Sequence, residues 1–285
     1  MGRILTVSRL APPLIHEPRG GLPVLLSIPH SGRDYPDWLI AMSAGGRDVL
    51  ASLEDPVVDR LAWRAIGQGI GAVIARAPRA AVDCNRAENE IDPAVVRNAP
   101  LAPLSARARG GLGVVPARTL RHGYLWRRPI DLAELDDRLD AAHRPFHQAI
   151  ERAVAGLLHR YGEIVVIDCH SMPPPQAGIP PIVIGDRRGR SADGWVGRES
   201  IRIAEACGFA ARLNHPFSGG HVVERHGIPA RGVHAIQVEI DRSFYLDSAL
   251  AGPGSGFDRT ARLLERLAVG LGEALLQRRF ATAAE

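Results

Sequence analysis

The chain has 285 residues, of which 46% are hydrophobic and 23% are charged. This balance is typical of a globular protein and excludes wholesale disorder and fibrous structure. The net charge is +4, and every basic side chain other than histidine is an arginine, because the chain contains no lysine. Chemistry that needs a lysine amine, such as a Schiff base or a phosphate-binding P-loop, is therefore excluded.

Several other classes of protein find little support in the sequence. Cys84, Cys169 and Cys207 are far apart and show neither a disulfide framework nor a thiolate zinc motif. No apolar run reaches the roughly 18 residues that a membrane helix needs, and residues 1–10 lack the pattern of a signal peptide. Only the basic net charge favours a nucleic-acid partner, and no basic run or basic-aromatic stripe supports it. We therefore expect a soluble, cytoplasmic protein without a nucleic-acid or membrane partner.

Short apolar runs between turn residues predict five buried strands, at residues 22–28, 71–76, 163–168, 181–185 and 233–240. Helical periodicity predicts three long helices, at residues 131–161, 193–207 and 257–280. Pro145 should kink the first of these or begin a second segment. Strands that alternate with helices indicate an α/β protein with a mostly parallel sheet. No linker divides the chain, so we expect residues 1–285 to form a single domain.

Polar side chains directly follow three of the predicted strands. His30 comes after the first strand, His170 after the third and Glu239 near the end of the last. Ligands of parallel sheets bind at the carboxyl ends of strands, and imidazole is the commonest ligand of zinc-type metals. A single histidine after a strand is usually an ordinary polar residue, but two in the same setting indicate a metal site. Asp168, on the same side of its strand as His170, would orient the imidazole or cap the strand end.

A third ligand is expected to be a carboxylate, and Glu54 and Asp55 are the candidates. The alternative is structural, because acidic residues favour helix N-termini and Pro56 suits the first position of a helix. Asn85 and Arg86 offer an amide and a planar guanidinium, a combination that suits a substrate carboxylate. Their alternative is a loop ion pair with one of the neighbouring glutamates, Glu88 or Glu90.

Other polar residues have weaker assignments. His143 and His147 share a helix face and would line a pocket, although core or surface positions are the simpler interpretation. The glycine-flanked stretch from Ser218 to Gly227 would form a flexible loop over the site or the rim of a hairpin. Cys169 lies beside His170, but neighbours in a strand point to opposite faces, which argues against a cysteine nucleophile.

These segments, in this order over residues 22–247, resemble the N-formylglutamate amidohydrolase family. The matching segments are Ile28-Pro29-His30-Ser31-Gly32, Glu54-Asp55 with Val58-Asp59-Arg60-Leu61, Asp83-Cys84-Asn85-Arg86, Gly111-Leu112-Gly113-Val114-Val115-Pro116, His143-Arg144-Pro145-Phe146-His147, Asp168-Cys169-His170-Ser171, Gly219-Gly220, Arg225-His226-Gly227 and Gln237-Val238-Glu239-Ile240-Asp241-Arg242. Residues 97–109 and 173–181 match poorly, which leaves the acyl group and the amino-acid side chain of the substrate open.

The resemblance implies a three-layer α/β/α fold with a mostly parallel, mixed central sheet, of the zinc-carboxypeptidase-like or phosphorylase/hydrolase-like kind. It implies a single catalytic domain that hydrolyses a small-molecule N-acyl amino acid, giving formate and glutamate for the named activity, in histidine degradation. The implied cofactor is Zn²⁺ or another divalent metal.

The resemblance also implies a role for individual residues. The metal ligands would be His30, Asp55 and His170, with Asp55 matching better than Glu54. Glu239 would be the general base, and Arg225 and His226 would be further catalytic residues. One of Arg225, Arg242 and His226 would help to stabilise the oxyanion. The substrate pocket would contain Asn85, Arg86, Arg242, Ser31, Gly220 and His147.

The sequence leaves two other functions open. The same metal chemistry would serve a related N-acyl amino acid deacylase or a small carboxypeptidase. A non-catalytic protein that binds metal or an amino acid would keep the pocket, but simple binding does not require a glutamate at position 239. The sequence predicts no oligomeric state.

Overall fold

The structure, a computed structural model, describes residues 10–100, 105–119, 121–174 and 177–283. Residues 1–9, on which the signal-peptide argument rests, lie outside the described residues, as do 101–104 and 175–176 in the two poorly matching segments. Among the described residues, no helix is both long enough and apolar enough to cross a membrane.

The chain divides into two compact units. The first consists of Met1–Leu14, His30–Glu54 and Ala75–His147. The second consists of Ile15–Pro29, Asp55–Ile74 and Gln148–Glu285. The expectation of a single domain over residues 1–285 stays a prediction.

Nine strands are present in the described residues: β1 (Leu14–His16), β2 (Val24–Ile28), β3 (Gly71–Ile74), β4 (Arg118–Thr119), β5 (Gly123–Tyr124), β6 (Ile164–Met172), β7 (Ile182–Gly185), β8 (Ala211–Leu213) and β9 (Val233–Asp241). Seven of them form one sheet in the order β1-β3-β2-β6-β9-β7-β8, and β4 pairs with β5. All five predicted strands are confirmed. The strands missed by the sequence prediction have only two or three residues, too few to show a period.

The described part of the chain contains ten α-helices: α1 (Asp37–Met42), α2 (Gly46–Ala51), α3 (Val58–Leu61), α4 (Trp63–Gly67), α5 (Ala106–Arg109), α6 (Leu132–Arg138), α7 (Arg144–Tyr161), α8 (Gly194–Ala206), α9 (His221–His226) and α10 (Phe257–Ala283). Short 3₁₀ turns cover Pro229–Arg231 and Arg242–Phe244. The predicted terminal helix and the predicted helix at residues 193–207 are confirmed as α10 and α8.

The large sheet is mixed, as predicted. β2 runs parallel to β3 and β6, and β6 runs parallel to β9. β7 runs antiparallel to β9, and β8 runs parallel to β7. Helices pack around this sheet, which gives the predicted three-layer α/β fold. Successive side chains in a strand point to opposite faces of the sheet. Alternate residues of β2 therefore share one face, and they lie in one apolar cluster with leucines of α10.

The long helical pattern over residues 131–161 is interrupted just before Pro145. A π-helical segment, Leu139–His143, separates α6 from α7. Proline lacks the N–H that an α-helix needs and its ring collides with the carbonyl four residues earlier, so the helix widens by one residue at this point. The expected break at Pro145 is confirmed.

The glycine-flanked stretch at residues 218–227 differs from the sequence prediction. It contains helix α9 rather than a flexible loop or a hairpin rim. Val222 and Val223 are fully buried, and α9 packs against β9 and β6. Two adjacent apolar residues among polar ones give too short a pattern to indicate a helix from sequence.

Gly32 allows the close approach of two backbone segments of the first unit. A Cβ atom at this position would lie 2.1 Å from the carbonyl oxygen of Ala77. We expect Gly32→Ala to destabilise the protein by about 1–3 kcal/mol, because the backbone must move to relieve the overlap. The measurement is thermal unfolding followed by circular dichroism.

Gly21→Ala is the matched control for this substitution, since no atom lies within 4 Å of the added Cβ. It should leave the midpoint of unfolding almost unchanged. Equal midpoints for the two variants would contradict the steric argument.

Candidate metal and catalytic site

His30 lies two residues after β2, in the first unit, and is held by a buried carboxylate. Its Nε2 atom is 2.7 Å from Oδ1 of Asp83. Because an ionised carboxylate only accepts hydrogen bonds, this contact places the proton of the neutral imidazole on Nε2. The Nδ1 atom of His30 is then the nitrogen with a lone pair for a metal.

Asp83 is fully buried and interacts with several donors. Besides His30, it accepts hydrogen bonds from Nε of Arg79 at 2.9 Å and from the backbone N–H of Asn85 at 2.8 Å. Burial alone would raise the pKa of Asp83, but Arg79, His30 and Arg86 together hold it well below its usual value. Asp83 is therefore a charged carboxylate. The sequence prediction gave it no role, although it stands in a matching segment beside Asn85.

His170 has the equivalent arrangement in the second unit. Its Nε2 atom is 2.8 Å from Oδ2 of Asp168, as expected from the two-residue spacing in β6. The other oxygen of Asp168 accepts a hydrogen bond from the hydroxyl of Ser27 in β2 at 2.8 Å. The Nδ1 atom of His170 faces Oδ2 of Asp55 at 3.0 Å. Both histidines thus use Nε2 for a carboxylate.

Asp55 is held through its second oxygen. Nη2 of Arg242 donates to Oδ1 of Asp55 at 3.1 Å, and Nε of Arg242 donates to the hydroxyl of Ser171 at 3.1 Å. The guanidinium of Arg242 thus contacts a candidate metal ligand, and the substrate-pocket role that the resemblance implies for Arg242 stays a prediction. Each of the three candidate ligands therefore has a charged partner.

One ligand atom from each of His30, Asp55 and His170 lies within 4.8 Å of the other two, and all three residues are buried. Donor atoms of a tetrahedral zinc site lie about 2.0–2.1 Å from the ion and therefore about 3.3 Å from one another. Two imidazoles with one carboxylate is also a donor set that catalytic zinc uses. The residues therefore fit a zinc-type divalent ion.

The charges around His170 support the same conclusion. Burial alone would lower the pKa of His170, but Asp168, Asp55 and Glu239 raise it well above its usual value. Such surroundings favour a positive charge beside the imidazole. Glu54, the alternative ligand, instead accepts a hydrogen bond from the hydroxyl of Tyr35.

Glu239 lies directly opposite His170 in the parallel register of β6 and β9. Neighbouring strands are about 4.8 Å apart, so the two side chains share one face of the sheet at that spacing. Nε2 of Gln237 donates to Oε1 of Glu239 at 2.7 Å, and Oε1 of Gln237 accepts from the backbone N–H of Gly220 at 2.7 Å. The amide of Gln237, to which the sequence prediction gave no role, thus orients Glu239 and fixes the start of α9.

Arg225 and His226 lie in the last turn of α9. Arg225 donates to Oε1 of Glu151 through Nε at 3.2 Å and through Nη2 at 2.9 Å. Burial, together with Arg225 and His221, lowers the pKa of His226 to about 3, so its imidazole is neutral at neutral pH. His226 can donate a hydrogen bond but carries no positive charge there.

The Asn85–Arg86 loop is fixed by contacts with backbone carbonyls. Nε of Arg86 donates to the carbonyl of Leu112 at 2.8 Å. Nε2 of His143 lies 2.8 Å from the carbonyl of Arg86, and Nε2 of His147 lies 2.9 Å from that of Cys84. His143 and His147 are thus buried supports of this loop, consistent with the simpler of the two interpretations. The substrate-binding role of His147 stays a prediction.

Glu88 and Glu90, the alternative partners of Arg86, each contact another group, although the charge of Glu90 still acts on Arg86. Glu88 pairs with Arg144 at 2.9 Å, and Glu90 accepts from the hydroxyl of Ser105 at 2.6 Å. Ser31 is buried beside His30 in the chain. Cys169 is fully buried in the apolar cluster and burial raises the pKa of its thiol well above the usual value, as expected for a residue that is not a nucleophile.

The assignment of the carboxylate ligand can be tested by a pair of adjacent substitutions. Asp55→Asn should weaken zinc binding by more than about 100-fold, because loss of a direct ligand exceeds the effect of losing an outer partner. Glu54→Gln should retain the zinc content of the parent protein. Metal analysis after dialysis against equal zinc concentrations distinguishes the two, with circular dichroism to check folding. Loss of zinc from the Glu54 variant alone would reverse the assignment.

Comparison with known proteins relates the whole site to one family. Residues 22–246 match the family model described as N-formylglutamate amidohydrolase. The N-formylglutamate deformylase of Pseudomonas putida is 28% identical over 239 residues, which cover 80% of this chain and 84% of the relative. The deformylase of Pseudomonas aeruginosa is also 28% identical, over 251 residues, with the same coverage of both chains.

Solved structures agree with the sequence comparison. The crystal structure of N-formylglutamate amidohydrolase from Ralstonia eutropha JMP134 has a TM-score of 0.86 and 26% identity, covering 94% of this chain and all of that one. The family match extends over most of the chain and includes every candidate site residue named above. The chain therefore belongs to the N-formylglutamate amidohydrolase family.

Proposed function

We propose that this protein is a zinc-dependent amidohydrolase that cleaves N-formyl-L-glutamate to formate and L-glutamate. The observation that carries the proposal is the convergence of His30, Asp55 and His170, with Glu239 opposite His170 on the same face of the sheet. Family membership supports the substrate, since the relatives carry that name. Cobalt, iron or manganese would satisfy the same donors. A cytoplasmic location and a place in histidine degradation stay predictions.

A bound divalent ion would lower the pKa of a water molecule towards about 7 and polarise the amide carbonyl of the substrate. Glu239 would take the proton of that water and deliver it to the leaving nitrogen. The hydrogen bond from Gln237 fixes the direction of the Glu239 carboxylate, so that one oxygen is oriented before the substrate arrives.

The substrate would be held by its carboxylate. Asn85 and Arg86 would bind the α-carboxylate and so fix the scissile carbonyl. A dicarboxylate substrate favours positive surroundings, and Arg79 and Arg86 both lie beside the buried Asp83. Ser31, Gly220 and His147 would complete the pocket.

Stabilisation of the oxyanion would fall to His226. A neutral, buried imidazole is a suitable hydrogen-bond donor to a developing negative charge. Arg225 would take part only by leaving Glu151, and Arg242 by leaving Asp55. We therefore place Arg242 with the metal ligand and keep Arg225 as the subsidiary catalytic candidate.

The direct test of the function is the release of formate from N-formyl-L-glutamate by the zinc-loaded protein, measured together with the release of glutamate. We expect equal amounts of both products. N-acetyl-L-glutamate and glutamyl dipeptides serve as comparison substrates. Faster hydrolysis of one of these would assign the protein to the deacylases or carboxypeptidases, and binding of metal without any hydrolysis would indicate a non-catalytic protein.

The base can be tested by Glu239→Gln, which keeps the shape of the side chain and removes the proton acceptor. We expect kcat to fall by about 10²–10⁴-fold, the usual contribution of a general base, while the zinc content stays at the parent level. Glu205→Gln, an exposed position in α8, is the control and should keep parental activity. Parental turnover in the Glu239 variant would show that another group removes the proton.

A further inference from the structure

Asp83 links two parts of the proposed site through a single oxygen atom. Its Oδ1 accepts the hydrogen bond of His30 at 2.7 Å and also that of the backbone N–H of Asn85 at 2.8 Å. Its Oδ2 accepts from Nε of Arg79 at 2.9 Å. The carboxylate is fully buried, so water cannot replace a donor that moves away, and an unpaired buried charge is costly. The position of His30 and that of the Asn85–Arg86 loop are therefore fixed together.

Asp168 provides a comparison within the same molecule. It holds the second histidine in the same way, with Oδ2 at 2.8 Å from Nε2 of His170. Its other oxygen, however, accepts from Ser27 of the neighbouring strand β2. Asp168 is thus tied only to the sheet, whereas Asp83 is tied to a loop that carries candidate substrate-binding residues.

We propose that Asp83 is a positioning residue that serves two sites at once: it orients His30 towards the metal and holds the Asn85–Arg86 loop in the conformation that binds a substrate carboxylate. The second half of this proposal rests on the proposed function. Asp168, by contrast, serves the metal alone.

The direction of the change in L-glutamate affinity when Asp83 is removed distinguishes a positioning role from a purely electrostatic one. Asp83 carries a negative charge 4.0 Å from Nη2 of Arg86. If only charge mattered, its removal would strengthen the binding of an anionic ligand to Arg86. If Asp83 positions the loop, its removal weakens that binding, because the backbone of Asn85 loses its anchor.

The experiment compares Asp83→Ala with Asp168→Ala, using Zn²⁺ and L-glutamate as separate probes in calorimetric titrations. The dissociation constant for Zn²⁺ should rise about 10–100-fold in both variants, as expected when a buried partner of a histidine ligand is lost. The dissociation constant of metal-depleted protein for L-glutamate should rise about tenfold in the Asp83 variant, the effect of one hydrogen bond to a charged group. It should stay at the parent value in the Asp168 variant.

Asp83→Asn provides a second variant that keeps one oxygen able to accept from both donors. It should bind L-glutamate more tightly than Asp83→Ala but more weakly than the parent protein, because a neutral amide oxygen accepts weaker hydrogen bonds than a carboxylate. It therefore replaces Asp83→Ala in the comparison if that variant does not fold. Circular dichroism and thermal unfolding check folding of each variant.

Different outcomes reject different statements. Unchanged or tighter binding of L-glutamate by the Asp83 variants, or equal losses in the Asp83 and Asp168 variants, would overturn the two-site role while the parent still releases formate. If the parent neither releases formate nor binds L-glutamate, the proposed function fails, and the substrate half of this inference fails with it. An unchanged dissociation constant for Zn²⁺ in the Asp83 variants would reject only the statement that Asp83 orients His30 towards the metal.

Discussion

Hydrogen bonds with buried charged groups orient each candidate metal ligand, and the geometry of the site depends on them. His30 is held by Asp83, His170 by Asp168 and Asp55 by Arg242. Buried charged groups of this kind add little to stability compared with well-packed apolar side chains, but breaking one of these contacts leaves an unpaired charge in the interior. Their value here is orientation, because each pair fixes which atom of the ligand remains for the metal. A side chain held in this way needs no rearrangement when an ion binds.

The part of this arrangement that follows from local rules was predictable from sequence. The carboxyl ends of parallel strands meet at one edge of a sheet, so His170 and Glu239 were expected near each other. The register of β6 and β9 places these two residues directly opposite each other. The spacing of two residues also predicted the contact of Asp168 with His170. The choice between Glu54 and Asp55 was different, since it depends on which carboxylate lies beside His170, and no local pattern contains that contact.

The partners of the arginines were also beyond sequence reasoning. A guanidinium at the end of a long side chain can reach several acceptors, and only the tertiary structure selects among them. Arg242, which is expected to bind substrate, contacts Asp55, and Arg225 is paired with Glu151. Asp83 was overlooked for the same reason, because its importance comes from how many donors meet at one buried carboxylate. Arginine suits such positions, since its charge persists on burial and its planar group offers several donors.

The proposed catalytic arrangement depends on strand register, and therefore on core packing. All nine residues of β6 are buried, and Asp168 and His170 share one face while Cys169 points into the apolar cluster on the other. A shift of β6 by one residue would move both polar side chains into that cluster and bring Cys169 to the site. The burial of unpaired Asp168 and His170 among aliphatic side chains would be strongly unfavourable. The same apolar contacts that stabilise the sheet therefore keep His170 opposite Glu239, so residues far from this edge of the sheet determine whether the proposed base and the proposed metal ligand face each other.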